Sequence, residues 1–146
     1  MQTPQKQAPC PKMPSLMNKL KILKTKMIIM YFSNLIFMMY TLTVASMNCH
    51  GQTKLEVPKQ LYIQNFLLTN SIDILLCQEM RIDDRTFEQC NFIRSNYNII
   101  KNNAPNPYGT SVLAHVNLNI EEVKYDTEGR ILIYNIDEIT FCNVYP

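Results

Sequence analysis

Tryptophan is absent from this chain of 146 residues, and glycine occurs only three times. Glycine this sparse implies a specific backbone duty wherever it stands. No C-x-x-C spacing occurs, and the cysteines Cys10, Cys49, Cys77, Cys90 and Cys142 are odd in number. That speaks against a disulfide framework or a zinc site. With Cys49, Cys77 and Cys142 set in apolar runs, it reads as reduced, buried thiols of an intracellular protein. Acidic residues are missing before Met27, whereas Lys6, Lys12, Lys19, Lys21, Lys24 and Lys26 all precede it. The remainder then carries eight basic against 12 acidic residues, so the pI near 8.2 describes the leader and not the body. A basic patch for nucleic acid across the body is not evident. No internal repeat is present.

What is present is globular in kind: hydrophobic residues make up 47% and charged residues 18%. The length suits one domain able to hold its own core. Residues 1–26 have no periodicity and read as disordered. Met27 to Met47 carries no charge. As a helix these residues would span roughly 31 Å, enough for a bilayer, and the lysines before them resemble the flank of a signal or anchor. Against this, polar residues dilute the run, and Thr41 to Met47 alternates like a strand. If that last third is a strand, Met27 to Tyr40 would span only about 21 Å as a helix, short of a bilayer core. The expectation is therefore a soluble or aggregated product, with a membrane or secretory segment as the alternative.

Lys54 to Asn70 has a helical pattern, with Pro58 in the first turn and Tyr62, Ile63, Phe66 and Leu67 on one face. Leu61 and Leu68 fall off that stripe, which suggests cover on more than one side. Ile72 to Glu79 is a nearly unbroken apolar run that ends in Gln78-Glu79, as expected for a strand buried on both faces. Arg81 to Asn91 is polar, with one helical turn around Arg85 to Gln89. Five strand-like stretches follow: from Tyr97, Thr110 to Val116, Leu118 to Tyr125, Arg130 to Ile136, and Ile139 to Tyr145. Their short turns indicate an antiparallel meander.

Four short patterns stand at strand ends: Asn48-Cys49-His50-Gly51, Gln78-Glu79, Glu128-Gly129-Arg130 and Asn143-Val144-Tyr145-Pro146. Each alone is common. Asn48 equally suits a turn bonding to backbone, Tyr145 a rim aromatic, and Glu128-Gly129 ordinary turn chemistry. In this order they resemble the endonuclease/exonuclease/phosphatase superfamily with the DNase I-like fold. The likeness is nearest to the apurinic-endonuclease-like domain of non-LTR retrotransposons. It runs from about Thr41 to Pro146, with N-x-x-G at Asn48 to Gly51, D-I-x-x-x-Q-E at Asp73 to Glu79, and Gly109-Thr110 beginning a later strand.

The resemblance implies an α+β fold, the N-terminal half of a four-layer αββα sandwich over residues 41–146 behind an unrelated leader of residues 1–40. It implies that Glu79 binds Mg²⁺, that Asn48 arranges the metal and phosphate, and that Tyr145 lies near the phosphate as a hydrogen-bond donor. DNA is the implied partner, and the implied location is intracellular, in the nucleus. The family's G-D-x-N and S-D-H motifs are missing. His50 occupies a variable slot where it would touch phosphate, and His115 lies in a strand as a half-buried or edge residue. Neither matches the family's base. The expectation is an inert, truncated phosphodiesterase whose sheet lacks its covering partner sheet. The competing classes are a small membrane-anchored protein and a nucleic-acid- or protein-binding remnant.

Overall fold

The computed structural model describes residues 22–33, 36–52, 57–83, 85–103, 109–136 and 139–146. Two long strands come first, β1 (Ile22–Ser33) and β2 (Ile36–Gln52), followed by helix α1 (Val57–Asn70) and strand β3 (Ile74–Met80). A six-residue helix, α2 (Asn91–Asn96), precedes β4 (Tyr97–Asn102) and β5 (Thr110–His115). Strands β6 (Ile120–Tyr125), β7 (Ile131–Ile136) and β8 (Ile139–Val144) complete the chain. The larger sheet has the order β1-β2-β3-β5-β4, and the smaller one the order β6-β7-β8.

Strand β3 lies at the centre of the larger sheet because its sequence cannot face water on either side. Ile74, Leu75 and Cys77 are all fully buried. It runs parallel to β2, from which α1 carries the chain across, and antiparallel to β5. Helix α1 buries Ile63 and Leu67 while Tyr62 and Phe66 are half-buried, as the stripe predicts. Leu61 and Leu68 are instead exposed, so this helix is covered on one side only. The helix-side core joins α1 and α2 to one face of the larger sheet through Ala45, Met47, Leu75, Phe87, Ile93 and Leu113.

The other face of that sheet is covered. Leu42, Val44, Ile74, Val112 and Ala114 pack against Leu132, Tyr134, Ile136 and Phe141 of the smaller sheet. This corrects the expectation of an uncovered inner face. The single meander divides after β5: β4 and β5 pair within the larger sheet, and β6 to β8 form the second. The result is three layers, helices on sheet on sheet, each apolar face closed by the next. Leu76 is only half-buried, because the smaller sheet reaches it from one side.

Residues 22–26, expected to be disordered, lie in β1, and the boundary between residues 40 and 41 falls inside β2. The uncharged run from Met27 is taken up as two antiparallel strands, Ile22 opposite Met47 through to Ser33 opposite Ile36. Among the described residues no helix is long and apolar enough to cross a membrane. Cys49, Cys77 and Cys90 are buried free thiols, as expected, but Cys142 is exposed on the uncovered face of the smaller sheet. Cys10 lies outside the described residues.

Candidate active site

The parallel pairing of β2 and β3 brings their C-terminal ends side by side, with Asn48 opposite Gln78. The register then breaks, and the next pair is Gln52 with Met80. Three residues, Cys49, His50 and Gly51, are thus set against Glu79 alone, a bulge of the kind that re-aims side chains. Glu79 itself has φ 52°, the left-handed region that disfavours a residue with a Cβ. Such strain costs of order 1–3 kcal/mol and persists only where the surroundings enforce it.

Those surroundings are visible. The Met80 amide donates to the Gly109 carbonyl at 3.0 Å. A Cβ on Gly109 would lie 2.9 Å from the Asn102 carbonyl oxygen and 3.1 Å from that of Met80, so only glycine permits this approach. The turned backbone presents the half-buried Glu79 side chain to Asn48, whose Nδ2 donates to Glu79 Oε1 at 2.8 Å. Two of the residues singled out in the sequence therefore meet.

The strand end is held from the second sheet by a residue whose role the sequence did not reveal. Asn143 of β8 is buried, and its Nδ2 donates to the carbonyls of Cys77 and Ser111, each at 3.0 Å. Its Oδ1 accepts from Gln78 Nε2 at 2.6 Å, and Gln78 Nε2 also donates to Ser46 Oγ at 3.0 Å. Asn143 was legible as part of a motif, but nothing in the sequence says that it spans the two sheets. Lys59 is a second such residue. From the first turn of α1 its Nζ donates to the Cys49 carbonyl at 3.1 Å, which sets a cation beside the bulge.

Tyr145 follows β8, two residues beyond Asn143, with its amide donating to the Arg130 carbonyl at 2.8 Å. The geometry gives it a position at the same strand end as Asn143, and its side chain is half-buried. His115 is far from the pair along the sheet, since β5 runs antiparallel to β3 and ends beside the start of β3. It is half-buried and meets Tyr97 edge-to-face at 5.5 Å. His50 lies within the bulged part of β2.

The Glu128-Gly129-Arg130 pattern is turn chemistry. Gly129 takes φ 76°, and Asp126 Oδ1 accepts from the amides of Arg130 and Ile131, both at 2.9 Å. Asn102 Nδ2 donates to the same oxygen at 2.9 Å. Partial desolvation pushes the Asp126 carboxyl up, but these donors outweigh it and hold the group below its ordinary value. Next to the pair, the Cys77 thiol is raised well above the ordinary range, first by its contact with Cys49 and then by burial. Such thiols stay protonated and are poor nucleophiles.

A divalent hard cation suits carboxylate oxygen, and Glu79 offers one carboxylate already oriented by an amide. Among the described residues no group of three His, Cys, Asp or Glu side chains is placed to hold a metal. Glu79 thus offers such an ion one corner of a coordination sphere.

No protein-family model and no curated protein matches the sequence. Solved structures do match. An AP endonuclease from Archaeoglobus fulgidus superposes with a TM-score of 0.56 and 21% identity, over 71% of this chain and 40% of the endonuclease. TDP2 from Caenorhabditis elegans gives a TM-score of 0.41 and 20% identity, over 57% of this chain and 28% of TDP2, which is too loose to argue from. The arrangement of sheets and helices is a partial DNase I-like fold, and the chain spans about 40% of the length of the archaeal endonuclease.

Proposed function

We propose that residues from Thr41 onward are part of a Mg²⁺-dependent phosphodiesterase domain that cleaves DNA, of the retrotransposon target-nicking type. We propose further that these 146 residues alone do not turn over. The observation that supports the first reading is the Asn48–Glu79 hydrogen bond at a bulged, left-handed strand end. An amide and a carboxylate held together on the ends of two parallel strands suit a phosphate-and-cation site better than a structural turn. A turn residue needs no strained glutamate beside it.

In this reading Glu79 supplies a hard oxygen ligand, and Asn48 fixes which way the carboxylate points. Lys59 adds positive charge where a phosphodiester would approach, and the Gln78–Asn143 contact keeps the strand end rigid. Glu79 would hold the Mg²⁺, whose charge would polarise a phosphodiester and offset charge on the leaving oxygen. Tyr145 is assigned a hydrogen bond to phosphate. Among the described residues none is assigned to activate water: the G-D-x-N and S-D-H motifs are missing from the sequence, and neither histidine matches the family's base. The second reading follows: one carboxylate and no base bind weakly and do not cleave.

The test is nicking of supercoiled plasmid by the purified chain in Mg²⁺, with Glu79→Ala as the control. The expected result is no nicking above the control. Robust nicking that Glu79→Ala abolishes contradicts the proposed inertness.

A further inference from the structure

Beyond Met80 the chain leaves the larger sheet, since β3 ends there. Ile82 is nonetheless buried, so its peptide groups need partners. Both come from one side chain. Asn103 Oδ1 accepts from the Ile82 amide at 3.2 Å, and Asn103 Nδ2 donates to the Ile82 carbonyl. A carboxamide carries the same donor and acceptor as a peptide, so Asn103 stands where a neighbouring strand would.

Asn103 is itself held from two directions. Asn102, the last residue of β4, is buried, and its Nδ2 donates to Asp126 Oδ1 and the Ile131 carbonyl, each at 2.9 Å. Asp126 follows β6 and Ile131 begins β7, so the smaller sheet fixes the end of β4. On the other side Gly109 packs against the Asn102 carbonyl, where a Cβ would come within 2.9 Å of the oxygen. The Gly109 carbonyl in turn accepts from the Met80 amide at 3.0 Å. Met80 and Ile82 are thereby both tied to the neighbourhood of Asn103, and through Asn102 to the second sheet.

The residue just before them is Glu79, with φ 52°. A left-handed residue that carries a Cβ persists only where its surroundings over-determine it. Upstream, those surroundings are the parallel pairing of Gln78 with Asn48. Downstream they are the Met80 and Ile82 contacts, and at Ile82 both bonds are made by the Asn103 side chain. We propose that Asn103 is a positioning residue for Glu79. By pinning Ile82 it keeps the Glu79 backbone left-handed, and so keeps the carboxylate against Asn48, whose Nδ2 donates to Oε1 at 2.8 Å. Its bearing on a cation rests on the proposed function of Glu79, whereas its hold on the backbone stands without it. Loss of this side chain leaves the core in place, because Asn103 is exposed and lies past the end of β4.

The experiment is nuclear magnetic resonance on the full chain. A positive φ brings a residue's own amide and α protons close, which gives a strong cross-peak that an extended residue lacks. Wild-type Glu79 should show it, and Asn103→Ala should lose it and shift the side-chain amide signals of Asn48. Ile93→Val, a core change in α2, should leave both signals as they are. Should Asn103→Ala fail to fold by circular dichroism, Asn103→Asp is read in its place. It keeps the acceptor for the Ile82 amide and loses only the donor, so the cross-peak should weaken. A second readout uses Mn²⁺, which shares the preference of Mg²⁺ for oxygen ligands and broadens amide signals near its site. Broadening at Glu79 should need about 10-fold more Mn²⁺ in Asn103→Ala than in the wild type. A folded Asn103 variant with the wild-type cross-peak, or an equal loss in Ile93→Val, overturns the role given to Asn103. A wild-type chain without broadening at Glu79 instead contradicts the proposed function, and the cross-peak still decides the role of Asn103.

Discussion

Asn143 Oδ1 accepts from Gln78 Nε2 at 2.6 Å, and through this bond the second sheet grips the strand that carries Glu79. The same asparagine closes off the carbonyls of Cys77 and Ser111 in the interior. Replacing it by leucine keeps the volume but leaves those buried acceptors without donors, at about 1–3 kcal/mol for each group. Asn143→Leu is therefore expected to lower unfolding stability by about 2–4 kcal/mol. A chemical-denaturation midpoint equal to the wild type contradicts the role given to Asn143.

Glu79 carries a conformational cost that its own replacement should recover. With φ at 52°, Glu79→Gly removes the clash of Cβ with the backbone. The expected outcome is a gain of about 0.5–1.5 kcal/mol in stability, together with loss of the carboxylate. A stabilising glycine at a position assigned to metal binding marks strain kept for function. A destabilised Glu79→Gly would mean that the turn is held by the side chain and not in spite of it.

The central strand separates two leucines that look alike in sequence. Leu75 is fully buried in the helix-side core, whereas Leu76 is half-buried between the sheets. Leu75→Ala is expected to cost about 3–5 kcal/mol and Leu76→Ala about 1–2 kcal/mol. Equal losses for the two in urea titrations contradict the layering described above.

Alkaline pH should loosen the fold through Tyr97. Burial, and after it the nearby Asp73 carboxylate, pushes this phenol up to about 12. The phenol also donates to the Ile72 carbonyl at 2.5 Å. The fold prefers the neutral form, so this stability is complete below the ordinary value near 10 and is lost as pH rises through about 12. The loss should be on the order of 2 kcal/mol across that window. Tyr97→Phe should flatten the slope there but not remove it, because Tyr134 is raised as well, by burial first and the Cys77 thiol second. Stability that is flat with pH in the wild-type chain would show the phenol to be unperturbed.

Much of this architecture follows from local pattern. The run Ile74 to Cys77 reads as a doubly buried strand, and the stripe of Ile63 and Leu67 reads as a helix face, because burial acts residue by residue along each element. The partition into two sheets is decided by pairing over distance. Nothing within Thr110 to Ile136 announces that β5 pairs with β3 while β7 packs across it. Helix α2, at six residues, is too short to show a period. The pairing of β1 with β2 was hidden for the opposite reason: an uncharged, largely apolar run fits a membrane helix and a strand equally well. At the candidate site, Asn48 and Glu79 were legible as motif letters. The bulge, the left-handed turn, Lys59 and the grip of Asn143 depend on how three elements meet.

In the proposed function Asn48 and Glu79 form one side of a cleavage site that also needs the groups of the G-D-x-N and S-D-H motifs. The direct measurement is plasmid nicking by a chimera that joins a second half bearing G-D-x-N and S-D-H motifs after Pro146. Mg²⁺-dependent nicking should appear in the chimera, vanish with Glu79→Ala, and fall by about 10–100-fold with Asn48→Ala, since a misaligned carboxylate loses its hold on the ion. A folded chimera that nicks equally well with and without Glu79 would contradict the account.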